Sequence, residues 1–175
     1  MKKSPCSVRH AQPPADTAAI EDVMFQAASA AYGKIFPGAT REDYRKGSAS
    51  WLTSPPPPTA YTLVCEDDGR IVGTISAFQV GPGRARIEGF YVLPTYQGHH
   101  VGRALWDGII QLLQGEGYTD VDLFVLADNA SSRGVYEALG CRVDPHSTGV
   151  MTVGSIMASG VRYRVTIPSK RQGAG

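Results

Sequence analysis

The sequence predicts a mixed α/β fold of the α+β type: a mostly antiparallel sheet of about seven strands, with one central parallel pair and four helices. Three observations carry this expectation. Apolar patterning gives the order strand, two helices, three-strand meander, helix, strand, helix, two strands. The strand–helix–strand crossover in the middle must be right-handed, and it makes its two strands parallel within an otherwise antiparallel sheet. Finally, Arg86 to Leu105, RIEGFYVLPTYQGHHVGRAL, reads as an apolar strand, a turn at Pro94, a glycine-bearing loop and a helix from near Val101.

Taken in order, Ser7 to Ala11 is a short first strand. Asp16 is a plausible N-cap for a helix through about Ile35, with Ile20, Val23, Met24, Ala27, Ala28, Ala31 and Ile35 on one stripe. Thr40 and Asp43 resemble a capping box opening a second helix through about Leu52. Pro55 to Pro58 form a stiff connector, because proline has no N–H to donate. Two alternating runs, Tyr61 to Glu66 and Ile71 to Val80, flank Asp67-Asp68-Gly69 and make a hairpin. Gly81-Pro82-Gly83 turns the chain into the strand Arg86 to Leu93. The third helix points Val101, Leu105, Ile109, Leu112 and Leu113 inward, and Gly115 and Gly117 stop it. Val121 to Leu126 is a buried strand, and Ser131 to Leu139 is a short helix closed by Gly140. Cys141 to Val143 and Val161 to Ile167 are the final strands. Between them, Asp144 to Gly160 is rich in Gly, Ser and Thr, and reads either as loop or as part of a hairpin.

The 175 residues suit one domain, expected over 7–168 with disordered ends at 1–6 and 169–175. A hydrophobic fraction of 42% and a charged fraction of 19% describe a soluble globular protein. A formal net charge of +1 argues against a broad nucleic-acid surface. No apolar run reaches membrane-spanning length, and MKKSPCSVRH lacks the apolar core of a signal peptide. Three cysteines without close spacing fit neither a disulfide framework nor a zinc site, so no metal is expected. A cytoplasmic location follows by elimination.

Chemistry concentrates in the loop Pro94 to His100 and the loop Ala127 to Ala130. Both lie at the carboxyl ends of the parallel strands, where such sheets bind ligands. A strand leading through a glycine loop into a helix N-terminus aims several N–H groups at one point, which suits a phosphate. Gly98 and Gly102 allow close approach. No Gly-Lys-Ser/Thr follows, which excludes a P-loop, and the glycine spacing excludes a dinucleotide fingerprint.

The element order, together with YVLPTYQGHHVGRALW and LADNASSRGVYEALG, resembles the GCN5-related N-acetyltransferase (GNAT) superfamily from about Val8 to Ile167. The resemblance implies transfer of an acetyl group from acetyl-CoA to an amine, by direct attack in a ternary complex. It implies that Phe90, Tyr91 and Val92 pair with the pantetheine arm, and that Gly98 to Arg103 bind the pyrophosphate. The family motif Q/R-x-x-G-x-G/A reads here Gln97, Gly98, His99, His100, Val101, Gly102, so His100 replaces its first glycine. The backbone N–H survives; the imidazole either points away as an exposed loop side chain or, protonated, contacts a phosphate. Asn129 matches the asparagine that contacts the pantetheine arm, and Tyr136 the tyrosine that protonates the departing thiolate. Their offset of seven residues, 136 − 129, puts both on one helical face. The alternative for Tyr136 is a core aromatic.

A lysine-like amine has a pKa of about 10.4, so only about one molecule in 2,500 is nucleophilic at pH 7. Some relatives carry a glutamate base five residues before the asparagine, where this chain has Phe124. Glu88 is the substitute candidate, two residues before Phe90 and on the same strand face. It reads equally as a structural hydrogen-bond partner or a substrate anchor; Gly89 beside it signals a bulge. His146 is a weaker candidate. The acceptor side draws on the first two helices, with Tyr32, Phe36, Tyr44 and Trp51, and on Asp144 to Gly160. A small-molecule amine is the expected partner; a protein amine, a non-catalytic acyl-CoA-binding module and a homodimer are compatible with the resemblance.

Overall fold

The computed structural model describes residues 6–47 and 59–169. Trp51, the Pro55 to Pro58 connector, the end of the second helix and most of both expected disordered ends lie outside the described residues. The elements are β1 (Ser7–His10), α1 (Thr17–Tyr32), α2 (Arg41–Gly47), β2 (Ala60–Asp67), β3 (Arg70–Gly81), β4 (Arg84–Val92), α3 (Val101–Gly115), β5 (Asp120–Leu126), α4 (Ala130–Ala138), β6 (Arg142–Val153) and β7 (Ile156–Thr166). One sheet runs β1-β2-β3-β4-β5-β7-β6. Its β4–β5 pair is parallel and its other pairs are antiparallel.

Local chemistry explains most boundaries. In α1 the stripe Ile20, Val23, Met24, Ala27 and Ala28 is buried, as its spacing requires. The helix ends at Tyr32, whose carbonyl accepts from both Ile35 and Phe36 and so closes the chain into turns before Ile35. Asp16 stands at the N-cap position without a capping bond. Its carboxylate instead accepts from Arg9 Nη1 and from the Gln12 N–H, each at 2.7 Å. The Arg9 hydrogen bond holds that carboxyl below the usual range. The capping box at α2 forms in both directions: Thr40 N donates to Asp43 Oδ2 at 2.8 Å, and Asp43 N to Thr40 Oγ1 at 3.3 Å. Asp68 and Gly69 both take positive φ, 48° and 76°, which matches the turn to the strand twist.

β3 is buried at every position from Ile71 to Ala77, so both its faces are covered, with α1 and α3 each packed on it. Leu105, Ile109 and Leu113 of α3 are fully buried against the sheet. Each such side chain contributes about 1.5–3 kcal/mol by leaving water.

The central pair creates the opening that matters. β4 and β5 pair only at Arg84–Asp120, Ala85–Val121 and Arg86–Asp122. Beyond that, β4 continues to Val92 along β3, while β5 continues to Leu126 along β7. The backbone of β4 from Ile87 onward therefore faces a gap.

Two expectations change. Asp144 to Gly160 is the β6–β7 hairpin, turning at Gly154, so both final strands start or end well beyond the expected limits. Its apolar alternation is weak because Thr148, Val150 and Thr152 face outward and are exposed. Cys6 and Cys65 form a disulfide, with Cα atoms 6.0 Å apart. The antiparallel register, Ser7 opposite Glu66, brings together residues that their sequence separation gave no reason to pair. This corrects the expectation that the three cysteines take no part in a disulfide. Among the described residues no helix is long and apolar enough to cross a membrane, and no cluster of metal-ligating side chains occurs.

Candidate active site

Two clefts share the walls formed by Phe90 and Tyr136. The first, of about 490 Å³, lies between the end of β4, the following loop and α4. The chain reaches it through a single 3₁₀ turn, Pro94–Tyr96, begun where the Leu93 N–H returns to the Val72 carbonyl. Gln97 donates its side-chain amide to the Val92 carbonyl at 3.3 Å, which ties the loop to the strand. His100, at φ 63°, is the N-cap of α3, in the left-handed region that glycine occupies without strain. The unsatisfied N–H groups at the start of this 15-residue helix supply the donors an anion needs.

The second cleft, of about 400 Å³, lies between α1, α2, the middle of β4, β5 and β6. Tyr32, Tyr44, Tyr91 and Phe124 give it an aromatic lining. Gly149 of β6 passes against the Phe124 ring; a Cβ there would come within 2.9 Å of Cε1. A bulge separates Ser76–Glu88 from Thr74–Tyr91 in the β3–β4 register, and Gly89 takes φ 64° within it. The bulge signal in the sequence is thereby realised beside the candidate base.

Glu88 lines this second cleft and has no hydrogen bond or ion pair among the described residues. Burial pushes its carboxyl up; Arg86 pulls it back and Asp122 adds to the rise. Arg86 lies on the same wall. Its Nε and Nη2 contact the two Asp122 oxygens at 2.6 and 3.2 Å, and its guanidinium stands 4.9 Å from the Phe124 ring. Arg162 also binds Asp122. Burial favours protonation of Asp122, but these two guanidinium groups offset it and hold the carboxyl below its ordinary value. Tyr136 packs 6.1 Å from Phe90, 6.2 Å from Trp106 and 6.3 Å from Tyr163, centroid to centroid. Its hydroxyl has no hydrogen-bond partner among the described residues, and burial pushes its pKa up.

Of the residues singled out by sequence, Phe90, Val92, Gln97, Gly98, His100, Gly102, Arg103 and Tyr136 line the first cleft. Tyr91 faces the second. His99 is exposed, and Val101 is buried in the core. Asn129 caps α4: its side-chain oxygen accepts from Ser132 N at 3.1 Å, and its amide donates to Ser132 Oγ at 2.7 Å. It lines neither cleft directly, but its side chain interacts with Tyr32 on the wall of the second. At φ −88° and ψ 73° it stands outside the helix, so the helical offset to Tyr136 does not apply to it. His146 is exposed on β6, away from both clefts. Sequence reasoning passed over Ser131, Ser132 and Val135, which form the α4 side of the first cleft. It also passed over Arg86, although Arg86 stands one strand period before Glu88.

The split mixed sheet and its two joined clefts define a protein built to hold two ligands side by side, and the sequence assigns its class. Residues 21–141 match the model of the acetyltransferase (GNAT) family, and the chain belongs to that family. No curated protein matches it in sequence. Solved structures share the fold at low identity. The ribosomal-protein-S18-alanine N-acetyltransferase of Escherichia coli is 17% identical, with 97% of this chain and 99% of that one aligned at a TM-score of 0.71. The PaiA N-acetyltransferase of Thermoplasma acidophilum, in complex with coenzyme A, is 16% identical over 91% and 99%, with a TM-score of 0.73. YncA of Salmonella typhimurium, with its cofactor acetyl-CoA, is 18% identical over 97% and 98%, with a TM-score of 0.66.

Proposed function

We propose that this chain transfers the acetyl group of acetyl-CoA to a primary amine of a small molecule, by direct attack in a ternary complex. One observation carries the reading: a phosphate-compatible cleft and an aromatic cleft with an unpaired carboxylate share the walls formed by Phe90 and Tyr136. Family membership and two coenzyme-bound neighbours of the same fold support it.

The first cleft fits the coenzyme. The N-terminus of α3 with Gly98, His100 and Gly102 would hold the pyrophosphate, and Arg103 adds a cation at the rim. The unpaired edge of β4 from Ile87 to Val92 offers main-chain groups to the pantetheine amides. When bound, acetyl-CoA supplies an activated thioester: the amine nitrogen forms a bond to the acetyl carbon, the C–S bond breaks, and the coenzyme leaves as its thiol.

The chain's own groups handle the protons. Making a lysine-like amine nucleophilic at pH 7 costs about 4.6 kcal/mol, whereas a thiol titrates near 8.5, so the base matters more than the acid. Glu88 accepts the amine proton, directly or through a water, and its raised pKa makes it a better acceptor than an ordinary carboxylate. Tyr136 keeps its proton, because burial raises its pKa, and its unpaired hydroxyl donates toward the sulfur. Phe124, at the position where some relatives carry a glutamate, has no proton to give or take and serves as wall.

The test is thiol release from acetyl-CoA across a panel of amines, with products read by mass spectrometry. Acetylated small amines are the expected result. Thermal stabilisation by acetyl-CoA without thiol release from any amine would instead mark an acyl-CoA-binding module.

A further inference from the structure

Resting on the acetyltransferase reading, we propose that the acceptor is a zwitterion: a small amine with an apolar body, whose carboxylate is held by Arg86 while its nitrogen faces Glu88. Both side chains line the acceptor cleft, and they stand two residues apart on β4, about 7 Å along the strand. The order Arg86, Glu88, Phe90 places the base next to the wall shared with the coenzyme cleft and the guanidinium farther out.

Arg86 is built as an anion receptor. Its bidentate bond to Asp122 and the Phe124 ring beneath it fix the guanidinium before any ligand arrives. Holding the fork still lowers the entropy cost of binding. That bond employs Nε and Nη2 and leaves Nη1 without a partner among the described residues. Asp122 does not neutralise its surroundings. Arg84, Arg86 and Arg162 all approach it, and Asp144 adds one carboxylate against Arg162 and a further cation, Arg164. Four guanidinium groups therefore form ion pairs with two carboxylates, with Glu88 beside Arg86 and Asp120 beside Arg84 as further acids, and of the four only Arg86 lines the cleft. A carboxylate satisfies it through charge-assisted hydrogen bonds. A polyamine would place a second cation against it. The rest of the wall, Tyr32, Tyr44 and Met151, accommodates an apolar side chain.

In the reaction the ammonium loses one proton to Glu88, which returns it to solvent; the nitrogen bonds to the acetyl carbon and gives up a second proton as the C–S bond breaks, and that proton balances the one Tyr136 passes to the sulfur. The product is an N-acetyl amide that keeps its carboxylate on Arg86.

Matched ligands test this: phenylalanine, phenylalaninamide and phenethylamine, with methionine as a second apolar zwitterion and spermidine as a polycation. Binding is read by calorimetry with and without coenzyme A, and turnover by thiol release. The expected result is at least tenfold tighter binding, and at least tenfold higher kcat/KM, for an amino acid than for its uncharged-end counterparts. Arg86→Gln should abolish that preference while coenzyme A affinity is retained. Arg86→Lys, which keeps a cation beside Asp122, serves if the glutamine variant does not fold, and should lower the preference. Equal or better binding of phenethylamine or spermidine, transfer to peptides alone, or an undiminished preference in both variants overturns the proposal. Failure of the acetyltransferase reading looks different: no stabilisation by acetyl-CoA and no thiol release with any amine, while calorimetry still decides whether Arg86 selects zwitterions.

Discussion

Glu88 carries a carboxylate into an aromatic-lined cleft where, among the described residues, it has no ion-pair partner; Arg86 only partly offsets the burial, and that costs stability. Its folded pKa lies above the unfolded value, so the folded state binds the proton more tightly. The favourable contribution is present below the ordinary carboxylate range and is lost as pH rises through the folded value. Glu88→Gln should therefore raise the thermal midpoint at neutral pH and match wild type below about pH 4. The same variant should lose the acidic limb of its rate profile, with the optimum shifting to higher pH as hydroxide replaces the base. An unchanged profile would assign the proton elsewhere. Tyr136→Phe should retain coenzyme A affinity and lower kcat by about 10²–10⁴, measured under saturating acetyl-CoA; wild-type turnover would remove the hydroxyl from the mechanism. His100 holds φ 63°, a conformation that costs a side-chain-bearing residue about 1–2 kcal/mol. His100→Gly should therefore not destabilise the fold in denaturant titration, and coenzyme affinity should stay within about threefold, because the backbone N–H is unchanged. At this scale the sequence brought Glu88, Phe90 and Tyr136 to the cleft walls, but the expected common strand face of Glu88 and Phe90 does not hold: the bulge at Gly89 puts Glu88 in phase with Tyr91, opposite Ser76 and Thr74. The offset argument for Asn129 fails because an N-cap residue leaves the helical phase, and Arg86 drew no notice because its setting depends on Asp122 arriving from a neighbouring strand.

Among elements, the β4–loop–α3 unit was legible because an apolar run, Pro94 and the glycine loop punctuate it strongly. The β6 strand was not, because its outward residues mix polar Thr148 and Thr152 with an exposed Val150 and so break the apolar alternation. Its inner face sets the acceptor cleft. Gly149→Ala would push a methyl into the Phe124 ring, now 2.9 Å from the added atom, and tilt the ring that supports Arg86. Acceptor KM should rise severalfold while coenzyme A binding is retained; equal effects on both would indicate general loosening of the sheet. Asp122, nearly buried and bonded to Arg86 and Arg162, ties β4, β5 and β7 together. Asp122→Ala leaves guanidinium charge without its partner and should cost about 3–5 kcal/mol in chemical denaturation.

At the scale of the whole molecule, one feature of topology generates the site: two parallel strands that pair briefly and then part. The mixed sheet and its central crossover were legible from element order, because handedness and connection rules leave few alternatives. The extent of the split was not, since it depends on which neighbour each strand keeps. The Cys6–Cys65 pairing was likewise hidden, as it follows from the β1–β2 register rather than from spacing. The central claim is that main-chain groups at the end of β4 and the start of α3 hold the coenzyme. Amide chemical-shift mapping of the isotope-labelled protein titrated with coenzyme A tests it most directly. The predicted result is that the largest saturable shifts fall at Phe90 to Val92 and Gly98 to Arg103. Saturable binding that leaves those amides unmoved, or no binding at all, would contradict it.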